Sequence, residues 1–259
     1  MLRALEGQLI YFPARVTGDG PPLRVDGAAS VEEVWLETGD GLRIHGVRAL
    51  AADGFADLIF FHGNAGNLYD RLYNVAGLVG SGFNVLIIDY RGYGKSDGAP
   101  SEKGLYADGL AALDYLAREQ GIDPNRVVLF GRSLGSTVAI ELATHASVGA
   151  LVVESAFTGM QDMARVHYSW LPGIVLRGLR HEFDSLAKVP GLRAPVLYVH
   201  GDRDAIVPLE MGRRLYEASP EPKEWLEIPG AGHNDTVLIG GEEYYRRLEA
   251  FVRAHVAAP

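Results

Sequence analysis

Short apolar runs recur along the chain, and stretches with helical spacing separate the later ones. Val34–Glu37, Ile44–Leu50, Leu58–Phe61, Val85–Asp89, Val127–Phe130, Leu151–Val153, Pro195–His200 and Glu224–Ile228 read as eight strands. Most are almost continuously apolar, as a strand buried on both faces must be. The last is different: Lys223-Glu224-Trp225-Leu226-Glu227-Ile228 alternates charged with apolar residues, as a half-buried strand does. Helices are predicted over Ser101–Gln120, Ser136–Thr144, Leu209–Ala218 and Glu242–His255. Strands alternating with helices give an α/β class, a mostly parallel sheet covered on both faces. Gly18-Asp19-Gly20-Pro21-Pro22 is a turn-rich connector, with too little chain before it to fold alone. With no internal repeat and no low-complexity tract, the 259 residues read as a single domain spanning 1–259, large enough to bury a substantial core.

Composition narrows the partners. Lysine and arginine number 24 against 33 acidic residues, a formal net charge of −9, so no global basic field recruits nucleic acid or an anionic membrane. The sequence has no cysteine, which removes disulfides, thiolate nucleophiles and thiolate metal sites and suits a reducing cytoplasm. Met1–Pro13 lacks the long apolar core of a signal peptide or membrane span, so the expectation is a cytoplasmic protein without stable membrane insertion.

The chemistry concentrates at Gly131-Arg132-Ser133-Leu134-Gly135, which follows the apolar run Val127–Phe130 and precedes the helix-prone Thr137–Ala143. In a strand, G-x-S-x-G, helix sequence the two glycines allow a sharp turn that lifts the Ser133 hydroxyl above the strand ends, at the N-terminus of the next helix. A glycine-bracketed turn capped by serine would look the same locally; the flanking strand and helix point to a nucleophile. A serine hydroxyl needs a base in hydrogen-bond reach and an acid to orient it. Both belong downstream, in loops past the carboxyl ends of strands. Pro195–His200 runs into Gly201–Pro208, which carries Asp202 and Asp204; Glu224–Ile228 runs into Pro229-Gly230-Ala231-Gly232-His233. Glu154, just past Leu151–Val153, is a third position from which an acid could reach the base. Among the histidines, His62 and His200 end strands and shape loops, His167 and His181 lie in the segment before Pro195, and His233 alone follows the final strand in a glycine-flanked turn. No histidine pair has metal-site spacing with a supporting acid, so neither a metal nor another cofactor is expected.

These residues, with His62-Gly63-Asn64-Ala65-Gly66-Asn67, Asp89–Gly98, Glu154-Ser155-Ala156-Phe157, Gly201–Asp204 and Gly232-His233-Asn234-Asp235, resemble the α/β-hydrolase superfamily over nearly the whole chain. Within it the chain is similar to the α/β-hydrolase-domain branch that includes protein depalmitoylases and bud-emergence-type proteins. The resemblance implies an α/β-hydrolase fold, with helices on both faces of a mostly parallel eight-stranded sheet and a short lid insertion, and a Ser133, His233, acid triad. The family pattern Gly-x-x-Asp-x-x-Val-Pro is matched by Gly201, Asp204, Val207 and Pro208, which gives Asp204 the acid role and leaves Asp202 as a turn former. An oxyanion hole needs two converging amides, each worth roughly 3 kcal/mol. Leu134, immediately after the nucleophile, supplies one; the resemblance gives the other to Asn64, with Ala65 one residue along as the alternative. Asp89–Gly98 is expected to brace that loop. In anchored relatives a segment like Leu9–Pro13 follows a membrane helix that this sequence lacks, so membrane attachment is not expected.

Substrate choice is expected from a lid within residues 158–192. Leu171, Ile174, Val175 and Leu179 fall on one helical face after Pro172, preceded by Tyr168 and Trp170. That face either packs onto the domain or lines an acyl-chain pocket, with Tyr168, Trp170 and Leu171 as candidate substrate contacts; Arg165, Arg177, Arg180 and His181 read as its solvated side. The expected activity is hydrolysis of a small-molecule carboxylic ester or thioester through an acyl-enzyme. A peptidase of the same fold is the competing enzyme reading, but peptidases usually add a large cap, a propeller or an acidic site for a free amine, and none is evident. A lyase or cofactor-free haloperoxidase is also compatible with the motifs. From another class, a binding protein on a hydrolase scaffold would not need every catalytic residue type that this chain retains.

Overall fold

The computed structural model describes residue 7, residues 10–168, residue 170 and residues 181–256. Each apolar run forms a strand of one sheet: β1 Ser30–Glu37, β2 Arg43–Leu50, β3 Ala56–Phe61, β4 Phe83–Ile88, β5 Val127–Arg132, β6 Ala150–Glu154, β7 Val196–Gly201 and β8 Lys223–Ile228. The 8-stranded sheet has the order β8-β7-β6-β5-β3-β4-β2-β1. The β1–β2 and β2–β4 pairs are antiparallel and all others parallel. A separate two-residue parallel ladder joins Phe12–Pro13 to Ala65–Gly66.

Strand periodicity of two divides the core between the faces. Ile59, Phe61, Leu129, Leu151, Val153 and Tyr198 point to one face, where they meet Leu105, Val138, Ile140 and Leu215. Their neighbours Leu58, Phe60, Val128, Phe130, Val152 and Leu197 point to the other, against Val75, Leu78, Leu248 and Phe251. The first face is covered by α2 Glu102–Asp114, α3 Leu134–His145 and α6 Leu209–Ala218, the second by α1 Leu72–Gly80 and α7 Thr236–His255. Among the described residues, two shorter helices, α4 Met160–His167 and α5 Ser185–Lys188, lie between β6 and β7.

Several helices depart from the pattern read in sequence. Helix α1 contains Gly77 and Gly80 and carries no strong propensity; tertiary packing selects it through the buried Val75, Leu78 and Val79, and Gly77 makes room for Tyr245, whose hydroxyl would lie 1.9 Å from a Cβ there. A capping box precedes it: the Asn67 side chain accepts from the Tyr69 amide and Asp70 returns to the Asn67 amide, starting the 3-10 turn Leu68–Arg71. Helix α3 begins at Leu134, directly after the serine, rather than at Ser136. Helix α7 is broken at Gly241, where φ is 53°: the part from Glu242 onward is the helix expected from sequence, and an additional turn from Thr236 precedes it. Helix α2 ends at Asp114 and passes into a π turn over Tyr115–Glu119.

Ser133 follows β5, Asp204 follows β7 and His233 follows β8, so all three leave carboxyl ends of parallel strands on one rim of the sheet. Of the 158–192 span, Phe183, Val189 and Leu192 are buried in the core rather than standing above it. Among the described residues, no helix is long and apolar enough to cross a membrane.

Candidate active site

The turn between β5 and α3 places positive φ on the serine itself: Ser133 has φ 52° and ψ −117°, a conformation L side chains adopt only where the surroundings impose it. Gly131 and Gly135 act through space rather than through φ. A Cβ at Gly131 would stand 2.4 Å from the Gly135 carbonyl oxygen, and one at Gly135 would stand 2.0 Å from the Phe61 carbonyl oxygen. The glycines thus let the first turn of α3 close onto β5 and β3, and this closeness forces the serine outward. Ser133 donates its amide to the Glu154 carbonyl at 2.9 Å, which fixes its backbone to the neighbouring strand.

His233 reaches the serine from the far side of the rim. Its Nε2 lies 3.0 Å from Ser133 Oγ, and its Nδ1 lies 2.8 Å from Asp204 Oδ2. The other Asp204 oxygen accepts the amides of Ile206 at 2.9 Å and Val207 at 2.8 Å. A carboxylate only accepts, so the Nδ1 position carries the proton and the Nε2 lone pair faces the serine hydroxyl. Burial alone would raise the Asp204 carboxyl, but donation from His200, His233 and the Val207 amide outweighs it and holds Asp204 well below the usual carboxylate range. This residue therefore stays ionised and keeps the imidazole in one tautomer.

The remaining candidates have other partners. Asp202 accepts the Gly230 amide at 2.6 Å and ties the acid loop to the base loop. Glu154 is fully buried and receives the hydroxyls of Thr236, at 2.6 Å, and Tyr244. His200 sits beneath the acid loop, with Nε2 2.9 Å from the Val207 carbonyl oxygen and 3.5 Å from Asp204 Oδ2. His62 lies 2.7 Å from the Gly63 carbonyl oxygen and 3.6 Å from Asp89. His167 Nε2 meets the Ile206 carbonyl at 2.8 Å, joining the end of α4 to the acid loop, and the Glu102 amide meets His181 Nδ1 at 3.3 Å.

Leu134 is the first residue of α3, where helix geometry leaves the amide without an intrahelical acceptor and the dipole favours negative charge. The loop after β3 lies against the serine, since a Cβ at Gly63 would fall 3.6 Å from Ser133 Cβ. Asn64 is pinned by its side chain, whose Oδ1 accepts from the Phe12 amide at 3.3 Å and the Tyr93 hydroxyl at 3.1 Å. Ala65 belongs to the short ladder with Phe12, and its carbonyl accepts Arg71 at 2.9 Å. The Asp89–Gly98 segment braces this loop. Asp89 accepts the Leu68 amide at 2.7 Å, and the Tyr90 hydroxyl donates to the His62 carbonyl at 2.9 Å. Of the candidate substrate contacts, Tyr168 is half exposed at 43% and Trp170 is exposed at 77%. Leu171, Ile174, Val175 and Leu179 lie outside the described residues.

One residue of this region escaped the sequence reading. Arg132, the variable position of the glycine-bracketed turn, is buried; its Nη2 donates to the His233 carbonyl at 2.8 Å and its Nε lies 3.1 Å from Glu154 Oε1. A long cation between two glycines just after an apolar strand was the only available signal, and its partners are far away in sequence.

The arrangement supplies a hydroxyl, a base oriented by an ionised acid, and a helix N-terminus beside them, which are the parts of acyl-transfer chemistry. A model of the Alpha/beta hydrolase family matches residues 58–186. An uncharacterized Mycobacterium tuberculosis protein is 39% identical over 252 residues, covering 95% of this chain and 86% of its own length. The alpha/beta hydrolase domain-containing protein WAV2 of Arabidopsis thaliana is 35% identical over 281 residues, covering 98% of this chain and 90% of its own. Among solved structures, the Pyrococcus furiosus esterase Pf2001 superposes with a TM-score of 0.76 at 23% identity, over 95% of this chain and 100% of that one, a likeness of fold. By sequence and by architecture, the chain belongs to the alpha/beta hydrolase family.

Proposed function

We propose that the protein is a serine hydrolase that cleaves carboxylic esters or thioesters through a covalent acyl-enzyme. The observation that carries this reading is the continuous chain of contacts from Ser133 Oγ to His233 Nε2 at 3.0 Å and from His233 Nδ1 to Asp204 Oδ2 at 2.8 Å. Ser133 Oγ attacks the acyl carbonyl as His233 Nε2 takes its proton, and the carbonyl π electrons move onto oxygen. The amides of Leu134 and Asn64 stabilise that oxyanion. When the tetrahedral intermediate collapses, the C–O or C–S bond breaks and His233 returns the proton to the leaving alcohol or thiol. Water then repeats the sequence on the acyl-serine, with His233 again as base, and releases the carboxylic acid. Asp204 remains ionised throughout and stabilises the imidazolium formed in each half. Asn64 rather than Ala65 is assigned the second amide because its side chain anchors it beside Gly63, against the serine, whereas Ala65 is engaged in the ladder with Phe12.

The whole chain acts as one domain in this reading, with the short lid inside residues 158–192 setting the acyl group. Tyr168 and Trp170 present exposed aromatic surface there. A fluorophosphonate probe tests the assignment: it labels Ser133 in the native protein, and Ser133→Ala abolishes both labelling and p-nitrophenyl ester hydrolysis. Labelling that persists in Ser133→Ala refutes the nucleophile, and the absence of both labelling and hydrolysis in the native protein favours a binding protein on this scaffold.

A further inference from the structure

The base loop is held from below by a buried ion pair that takes no part in the steps above. Arg132 ends β5 and Glu154 ends β6, and the parallel register places them side by side. Arg132 is 5% exposed and Glu154 0%, so two full charges are withdrawn from water at the rim of the sheet, a costly arrangement that needs good geometry and satisfied partners. Both have them. Arg132 Nε lies 3.1 Å from Glu154 Oε1, while Nη2 of the same guanidinium donates to the His233 carbonyl at 2.8 Å. Glu154 Oε1 also accepts the Thr236 hydroxyl at 2.6 Å, and Oε2 accepts the Tyr244 hydroxyl. The pair therefore grips residue 233, residue 236 at the start of α7 and residue 244 further along it.

We infer that the Arg132–Glu154 pair is the positioning device that sets His233 over Ser133. The inference rests on the triad reading and adds to it the means by which the base is held. The loop residues preceding His233 are tied elsewhere, the Gly230 amide to Asp202, the Ala231 carbonyl to the Arg203 amide and the Gly232 amide to Asp235, and the carbonyl of His233 itself is held by Arg132. The Asp204 contact restrains the ring at Nδ1 and so fixes its rotation. It leaves the height of the residue above the sheet free. The bond from Arg132 to the His233 carbonyl fixes that height, and the Glu154 bonds to Thr236 and Tyr244 hold α7 on both sides of its break at Gly241. A guanidinium can serve a carboxylate and a carbonyl at once through Nε and Nη2; an ammonium on a flexible stem does not reproduce that planar fork. Arg132 and Glu154 are thus positioning residues, acting on the reaction through His233.

Three variants of the full-length protein test this. Arg132→Lys keeps the charge opposite Glu154 and loses the fork. The double variant Arg132→Met with Glu154→Gln removes both buried charges together and avoids stranding one. Thr236→Val leaves the pair intact, is nearly isosteric and removes one grip. Misplacing a catalytic group by about 1 Å costs on the order of 10²-fold. The first two variants should therefore lose roughly 10–100-fold in kcat while KM for a neutral p-nitrophenyl ester stays within about twofold, and Thr236→Val should lose a few-fold. The low-field proton resonance of His233 Nδ1, identified by its loss in His233→Asn, should broaden or shift in all three. A purely structural pair would lower thermal stability and leave kcat of the folded protein and this resonance unchanged; that result in any variant that folds overturns the inference. Failure of the triad reading is distinguishable, because it appears as activity surviving Ser133→Ala, whereas the resonance reports the setting of His233 against Asp204 and does not require Ser133 to act.

Discussion

Replacing Asp204 by Asn tests the site through a single proton. The two Asp204 oxygens have different tasks: Oδ1 accepts the amides of Ile206 and Val207, and Oδ2 faces His233 Nδ1 at 2.8 Å. An asparagine keeps its carbonyl oxygen on the two amide donors, so its NH2 group turns toward the imidazole. That group donates and cannot accept. His233 Nδ1 must then be the acceptor, which moves the ring proton to Nε2, against Ser133 Oγ at 3.0 Å. The base is present in the right place with its lone pair on the wrong side. Loss of the correct tautomer costs about 10⁴-fold in kcat, equivalent to about 5.5 kcal/mol of barrier at about 1.36 kcal/mol per decade. The side chain is buried and the substitution conserves volume, so the fold and KM should hold. Steady-state kinetics on p-nitrophenyl butyrate, with urea unfolding of the same samples, gives both quantities. Asp202→Asn is the control: it retains a carbonyl to accept the Gly230 amide and should leave kcat nearly unchanged. If Asp204→Asn keeps kcat within tenfold, or if Asp202→Asn matches its loss, the acid has been misassigned.

Three further outcomes follow from the same geometry. Gly135→Ala should destabilise by about 3 kcal/mol or more in urea unfolding, because its Cβ would sit 2.0 Å from a backbone oxygen of β3 that has no rotamer to yield; a stability equal to the native protein would show that α3 can shift freely. Asp204 has a folded pKa held below its unfolded value of about 3.9, so it binds fewer protons in the native state, and its contribution is full above about pH 4 and is lost as pH falls through the depressed value. The stability gap between the native protein and Asp204→Asn should therefore be widest near neutrality and close in acid, and a gap independent of pH would remove the ionised, hydrogen-bonded Asp204 from the account. Trp170→Ala should shift the acyl chain-length optimum or raise KM across a p-nitrophenyl ester series while phosphonate labelling of Ser133 persists, since burial yields only about 0.8 kcal/mol per methylene and a short lid covers few; an unchanged profile would separate Trp170 from the substrate.

The strands and their α/β class were legible because burial on two faces writes itself as continuous apolar runs, and half-burial at the edge as alternation in Lys223–Ile228, local signatures that survive without knowledge of the fold. The order of Ser133, the Asp202/Asp204 loop and His233 was legible too, since the first two follow such runs and His233 follows the alternating strand Lys223–Ile228. Other features depended on residues far apart in the chain. Helix α1 was not readable, because Gly77 and Gly80 weaken its propensity and the packing of Val75, Leu78 and Val79 on the sheet decides it. The glycines at 131 and 135 were readable as a sharp turn, but only the packing of α3 on β3 reveals that they make room and that Ser133 itself takes the unusual backbone. Glu154 looked in sequence like a possible acid for the base; the register of β5 on β6 gives it to Arg132, Thr236 and Tyr244 instead. What the sequence determined by itself was which residue types stand at the ends of which strands, a matter of periodicity and local turn chemistry. The partners of each group were decided only by the tertiary structure, because hydrogen bonds and buried charges are satisfied through space, between residues such as Arg132 and His233 that stand 101 positions apart.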